Sequence, residues 1–245
     1  MSEQVTVIIP AWNATRFLRR AIESAVDQTR QPEMIVVVDD GSTDGTFEMA
    51  TGLGGGMGDV GPGLLMGTIK SVRYAVIRKP HVNLPNTRNV GMRFAMDLTS
   101  VFGFLDADDW YAPKKIQRSL EAFALTPQIE CVVSDYDDVL PDGKAIRRYK
   151  SPFEANRLMM SCLHNINCFV RRDALAVAGL FDESLSYCED YDLFLRLSEI
   201  GLIYHIPEVL HHRSEHGTNM SGNLDEMFRH EAMVKQKAAQ RRGAA

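Results

Sequence analysis

The chain reads as an α/β domain: a mostly parallel, Rossmann-like sheet flanked by helices, followed by a C-terminal helical extension. Three observations predict it. The run Val5-Thr-Val-Ile-Ile-Pro10 is apolar enough for a buried first strand. Phe17, Leu18, Ala21, Ile22, Ala25 and Val26 then recur at the spacing of one helix face, and Met34-Ile-Val-Val-Val38 is a second buried strand. A helix between two such strands makes a βαβ unit, whose strands lie parallel and open their carboxyl ends on one edge. The third observation is Val101-Phe-Gly-Phe-Leu105, an apolar run that drives into Asp106, Asp108 and Asp109.

The remaining elements follow in order. The second strand ends in Asp39-Asp40-Gly-Ser-Thr43, where Ser42 or Thr43 is placed to cap the next helix. Between Gly52 and Gly67 lies a Gly-rich stretch that follows a helix end rather than a strand. That placement argues against a phosphate cradle, and its low packing content predicts a mobile surface loop. Strand signals recur at 73–78, 130–134, 165–171 and 202–206, and helical patterns at 86–98, 113–125, 172–177 and 190–199. Pro113 suits a first helical turn, where its missing N–H costs little. Residues 225–242 form a last helix carrying Met227, Phe228, Met233 and Val234, with a basic finish of Lys235, Lys237, Arg241 and Arg242. A basic amphipathic helix can rest on an anionic membrane; a solvated terminal helix or a subunit contact is the alternative. The expected organisation is one domain over 1–221 and a helix with basic tail over 222–245.

Composition excludes several classes. A length of 245 residues suits one large α/β domain, and a net charge of −5 gives no nucleic-acid-binding body. Cys131, Cys162, Cys168 and Cys188 show no C-x-x-C pairing, which reads as reduced thiols and no zinc site. Cys188 stands beside an acid pair and reads either as a nucleophile or, more commonly for its type, as a buried structural thiol. No apolar stretch reaches the length of a membrane span, and the N-terminus lacks the pattern of a signal peptide. The expected location is cytoplasmic, with the inner face of the membrane as its variant; oligomeric state is open.

Clustered carboxylates at a strand end repel one another unless a cation sits among them. Asp106, Asp108 and Asp109 therefore read either as a divalent-metal site or as a solvated turn. The edge they share with Asp40 is where open α/β sheets bind ligands, which favours the first.

At this point the sequence resembles family 2 glycosyltransferases. The resemblance is carried by Val-Ile-Ile-Pro-Ala-Trp-Asn13, Val-Val-Asp-Asp-Gly-Ser-Thr-Asp-Gly-Thr46, Thr87-Arg-Asn-Val-Gly91 and Phe104-Leu-Asp-Ala-Asp-Asp109. It continues with Gly179-Leu-Phe-Asp-Glu183, Cys188-Glu-Asp-Tyr-Asp-Leu-Phe-Leu-Arg196 and Arg213-Ser-Glu-His-Gly-Thr-Asn-Met-Ser221. The set runs in the family's order over roughly residues 4–221, which is far more specific than any single motif. It implies a single GT-A domain and a metal-dependent, inverting transfer of a sugar from a nucleotide diphosphate, UDP above all, to a glycan or lipid-linked acceptor in polysaccharide or glycoconjugate synthesis.

The resemblance implies roles for residues. Pro10, Ala11 and Trp12 flank the nucleotide, with Trp12 stacking on the base. Asp40 is acceptor-only when ionised and suits the N3–H of uracil. Asp106 and Ala107 lie at the ribose and metal shell, Asp108 on the Mn²⁺ or Mg²⁺, and His216 at the metal or diphosphate. Arg88 reaches base or phosphate, unless it is a solvated helix arginine. Asp190 is the general base and Glu189 orients the acceptor or the base. Acids at a helix N-terminus also complement its dipole, and the two roles are compatible. Adjacent His211 and His212 face opposite ways along a strand and so do not share a metal. Gly217 suggests a segment that orders over the bound donor.

One departure stands out. His81-Val-Asn-Leu-Pro85-Asn86 replaces the small Gly-containing segment usual before the Arg-Asn motif, which leaves the donor sugar open. Residues 141–164, on the acceptor side, carry no decodable motif. Two other readings keep the nucleotide but not the transfer. A nucleotidyltransferase wants a Gly- and Lys/Arg-rich loop after its first strand, where this chain has Pro-Ala-Trp-Asn. A non-catalytic nucleotide or glycan module has no need of the intact acid pair and metal cluster.

Overall fold

The computed structural model describes residues 3–148, 166–217 and 223–243. Its first unit is the expected βαβ: β1 (Val5–Ala11), α1 (Leu18–Val26) and β2 (Met34–Asp39), with β1 and β2 paired in parallel. Alternation along the strands divides the core into two layers. Val5, Val7 and Ile9 of β1 and Ile35 and Val37 of β2 point to one face, with Leu18, Ala21 and Ile22 of α1. Ile8, Met34, Val36 and Val38 point to the other. Each such fully buried aliphatic side chain contributes about 1.5–3 kcal/mol of transfer free energy, which is why both faces of these strands read as continuous apolar runs.

The chain continues through α2 (Thr46–Leu53), β3 (Gly55–Gly61), β4 (Leu64–Ile69), β5 (Val72–Arg78) and α3 (Leu84–Ala95), the last extended by a 3-10 turn over Met96–Leu98. Then come β6 (Val101–Phe104), β7 (Trp110–Tyr111), α4 (Lys115–Phe123), β8 (Ile129–Val139), β9 (Ala145–Arg148), β10 (Phe169–Arg171), α5 (Arg172–Ala178), α6 (Glu189–Ser198), β11 (Leu202–Ser214) and α7 (Leu224–Gly243). The sheet order is β3-β4-β5-β2-β1-β6-β10-β8-β11-β7, with β9 pairing β8. Its centre, β5-β2-β1-β6, is parallel, as is the β8–β11 pair. Helices α1, α2 and α4 cover one face, and α3, α5, α6 and α7 the other.

Several expectations are corrected. The stretch 52–67 is not a loop: most of it is the β3–β4 hairpin, laid antiparallel on β5 at the sheet edge. Leu64 and Met66 pack one layer, and the turn at Pro62-Gly63 uses Gly63 at φ 70°, where a Cβ would stand 2.5 Å from the Arg78 carbonyl oxygen. Pro113 precedes α4 rather than opening it. Neither Ser42 nor Thr43 caps α2; Gly45 at φ 87° holds that position, and the Asp44 carboxylate accepts the Thr46 amide at 3.0 Å. Strands β8 and β11 run well past their predicted ends, because each ladder partner satisfies the other through polar sequence.

Helix α7 docks differently from its apolar reading. Its buried face is His230, Val234 and Ala238, whereas Phe228 is exposed. Its basic residues meet this chain's own acids: Lys235 pairs with Glu231, Lys237 with Asp182 and Arg241 with Asp192. Among the described residues no helix is long and apolar enough to cross a membrane.

Candidate active site

The carboxyl ends of β1, β2 and β6 carry Pro10 to Trp12, Asp40 and Asp106 to Asp109 to one edge. Two loops there are stitched together by side chains. Asn13 N–H donates to the Ser42 hydroxyl at 2.9 Å, Thr43 N–H to the Asn13 side chain at 3.0 Å, and Ala14 N–H to the Thr46 hydroxyl at 2.8 Å. This is what the hydroxyl-rich Gly-Ser-Thr-Asp-Gly-Thr run does. Register sets Pro10 and Ala11 beside Val38 and Asp39 at the strand ends.

Asp40 is buried and crowded. Lys79 Nζ and the Val82 amide reach its Oδ1, the latter at 3.0 Å, and His81 Nδ1 lies 2.9 Å from Oδ2. The His81 ring also stacks on Trp12, centroids 4.5 Å apart and 19° from parallel. Lys79 and His81 are site residues that sequence reasoning missed; only the departure at His81 hinted at them.

Arg88 is not a solvated helix arginine. It is 1% exposed, with Nη1 2.5 Å from Glu189 Oε1 and Nη2 2.6 Å from Asp106 Oδ1. Burial works against its charge, but the two acids more than offset it and raise its pKa. Gly91, one turn on, lets α3 lie against β1 and β2, since a Cβ there would stand 2.9 Å from Ile8 and 3.1 Å from Val38. Arg88 thus joins Asp106 to the acid pair. Loss of solvent around Asp190, then the neighbouring Glu189 charge, push its carboxyl up to about 7 against the pull of Arg88. A carboxyl near neutrality suits proton acceptance.

The Asp106–Asp109 turn divides its labour. Asp109 is buried, its Oδ2 2.8 Å from His211 Nε2 and its Oδ1 accepting the Ser214 amide at 2.9 Å, so it ties β11 to the turn. Asp108 Oδ2 lies 2.8 Å from His216 Nε2, and the His216 ring stacks on Phe17 at 4.7 Å. Desolvation, then Asp109 and Asp106, push Asp108 up to about 6. Arg20, another residue the sequence did not mark, stacks on Trp110 at 3.5 Å and donates to the Asp108 carbonyl at 3.4 Å. His212 pairs with the other face of this region, 5.2 Å from Trp110, so the two histidines do part company.

Ala107 is buried within the same turn. Asp108 and His216 fit a divalent cation: one hard oxygen and one imidazole nitrogen, amid acids whose repulsion a cation would relieve. Among the described residues no three His, Cys, Asp or Glu side chains converge as a metal cage. Such a pair suits an ion completed by phosphate oxygens and water. Cys188 is no nucleophile at neutral pH, because desolvation and then Asp190 and Glu189 push its thiol up to about 12. Residues 218–221 of the last motif, residues 149–165 of the acceptor side and Cys162 lie outside the described residues.

The chain is 30% identical over 225 residues to the chondroitin synthase of Pasteurella multocida, covering 90% of this chain and 22% of that relative. It therefore spans about a fifth of that relative's length. In fold it is similar to S. aureus TarS 1–349 in complex with UDP-GlcNAc, with TM-score 0.70, 17% identity and 90% of this chain and 61% of that one covered. It is also similar to the mannosyltransferase PcManGT from Pyrobaculum calidifontis in complex with GDP-Man and Mn²⁺, with TM-score 0.71, 16% identity and 98% and 65% covered. The sequence profile of glycosyl transferase family 2 matches residues 6–176, a span that holds the paired strand ends, Arg88 and the Asp106–Asp109 turn, and the chain belongs to that family.

Proposed function

We propose that this chain transfers a sugar from a UDP-sugar to an acceptor hydroxyl with inversion at the anomeric carbon, aided by Mn²⁺ or Mg²⁺, in the assembly of a glycan. The observation that carries the reading is the Arg88 bridge between Asp106 and Glu189, which puts the acid pair beside the strand-end carboxylates. Asp40 and Trp12 hold the base. Asp108 and His216 would hold the cation, which when bound would supply positive charge to the diphosphate leaving group. Asp190 takes the hydroxyl proton as the acceptor oxygen bonds to the anomeric carbon. The bond from that carbon to the phosphate oxygen breaks, and its electron pair leaves with UDP. Glu189, held by Arg88, keeps Asp190 beside a fixed charge. The chondroitin synthase relative supports a glycan acceptor, and the TarS likeness a UDP-sugar, whereas PcManGT carries GDP-Man. Calorimetry of UDP, GDP and CDP with and without Mn²⁺ tests this, alongside slow hydrolysis of a UDP-sugar panel. UDP should bind most tightly and gain from metal. Equal affinity without metal overturns the cation, tighter GDP or CDP overturns the base, and retained anomeric configuration overturns the inversion.

A further inference from the structure

We propose that α7 is a positioning strap for the acid pair: through Lys237 and Arg241 it fixes the segment 182–192 that presents Glu189 and Asp190. This rests on the functional reading above. The segment has little local reason to hold its shape. Cys188 sits in the left-handed region at φ 58°, ψ 23°, which disfavours an L residue, and its own side chain does not cap α6, whose first turn has Asp190 Oδ1 accepting the Tyr191 amide at 2.7 Å. Such a conformation persists only when its surroundings over-determine it.

The surroundings grip it from two sides. From α3 and its cap, Asn83, Asn86, Asn89 and Arg93 all reach Glu183, at 3.0, 2.8, 2.8 and 2.9 Å. From α7, Lys237 Nζ lies 2.5 Å from Asp182 Oδ2 and 3.1 Å from the Ser184 hydroxyl. Burial opposes ionisation of Asp182, but Lys237 and Ser184 win and bring its carboxyl down to about 2. Arg241 Nη1 stands 3.3 Å from Asp192 Oδ1, two residues past Asp190, and Arg196 holds the other oxygen at 2.8 Å. Cys188 Sγ donates to the Met227 carbonyl at 3.6 Å, and Tyr187 packs on His230 with rings 5.5 Å apart. Beneath these contacts Val234 and Ala238 are fully buried with Leu185, Tyr191 and Phe194. The acid pair therefore lies between two α7 ion pairs, at Asp182 and Asp192.

The test is Lys237→Ala/Arg241→Ala in the full chain, with Lys237→Ala alone as the milder variant and Lys237→Arg as the conservative one. UDP affinity in Mn²⁺ should stay within about twofold, since neither residue touches the strand-end loops. Turnover of UDP-GlcNAc, UDP-glucose or UDP-glucuronic acid should fall by about tenfold or more in kcat, because a misplacement near 1 Å costs on the order of 10²-fold. Lys237→Arg should restore it. The kcat–pH midpoint should move below that of the wild type as water reaches Asp190. Amide exchange over 182–192 should accelerate. A kcat within twofold of wild type, UDP affinity falling in step with kcat, or unchanged exchange over 182–192 overturns the strap. If the wild type turns over none of these sugars, the functional reading fails there, and the exchange measurement alone decides the strap.

Discussion

Arg88 donates to Glu189 across 2.5 Å, joining residues 101 positions apart: a helix that follows β5 fixes the first residue of α6. The same guanidinium holds Asp106 at the end of β6. One buried cation therefore sets the spacing between the sheet edge, where the nucleotide is proposed to lie, and the acid pair proposed for proton transfer.

Removing that cation should be costly. Arg88→Met leaves Glu189 buried without its counter-charge, and breaking one side of a buried pair costs about 3–5 kcal/mol. Urea unfolding should show a loss of this order. Arg88→Met/Glu189→Met should recover part of it, since it removes the more deeply buried of the two acids and leaves only the partly exposed Asp106 without its counter-charge. A single variant within about 0.5 kcal/mol of wild type would contradict the bridge.

Asp190→Asn separates activity from stability. The variant cannot take the acceptor proton, so kcat should fall by about 10²-fold or more while UDP affinity persists. Its melting behaviour should move the other way. The carboxyl is raised from 3.8 to about 7 in the fold, so the folded state penalises the charged form. That penalty is absent below pH 4, grows between pH 4 and 7, and is complete above 7. Asp190→Asn should therefore melt above wild type at pH 8 and with it at pH 4. The wild-type rate should rise through a midpoint near pH 7. A variant less stable at pH 8 would refute the disfavoured charge.

Asp108→Asn and His216→Ala address the pair proposed to hold the cation, which stands at 2.8 Å. Each should reduce the gain in UDP affinity that Mn²⁺ provides, by about tenfold for the loss of one ligand worth roughly 1.4 kcal/mol. Metal-free affinity should remain within twofold. Titration calorimetry at matched ionic strength reads both. An undiminished metal gain in Asp108→Asn would assign the cation to other residues.

Much of this architecture was legible because strand runs and helix periodicity come directly from burial. Val5–Pro10, Met34–Val38 and Val101–Leu105 are buried on both faces, and their apolar runs say so. The acids at their ends were visible for the same reason, as polar residues just where the apolar run stops. What stayed hidden depends on partners far along the chain. The β3–β4 hairpin is glycine-rich and gains its order from β5, a tertiary ladder that no local propensity records. Arg20 and Lys79 have no sequence signature either, and although Asn89 and Glu183 stand in quoted motifs, nothing in the sequence pairs them, because a polar helix face looks the same whether it meets water or a loop.

The base site proposed at Trp12 and Asp40 carries a last consequence. Uracil asks two things of this chain: an aromatic face, and an acceptor for its N3–H. His81 engages both, stacking on Trp12 at 4.5 Å and placing Nδ1 2.9 Å from Asp40 Oδ2. The imidazole is 49% exposed, so little packing holds it there. A base arriving at Trp12 and Asp40 must displace it, and affinity is reduced by the fraction of molecules in which the ring is in place. His81→Ala should therefore tighten UDP binding by about threefold, a difference of roughly 0.6 kcal/mol. Trp12→Ala should weaken it by about tenfold, within the 1–3 kcal/mol range of base stacking on an aromatic ring. In the double variant the benefit of removing His81 should shrink, because the stack it competed for is gone. Calorimetry with UDP reads all three. Weaker UDP binding in His81→Ala would make the ring a contact of the bound base, closing over it rather than standing in its place.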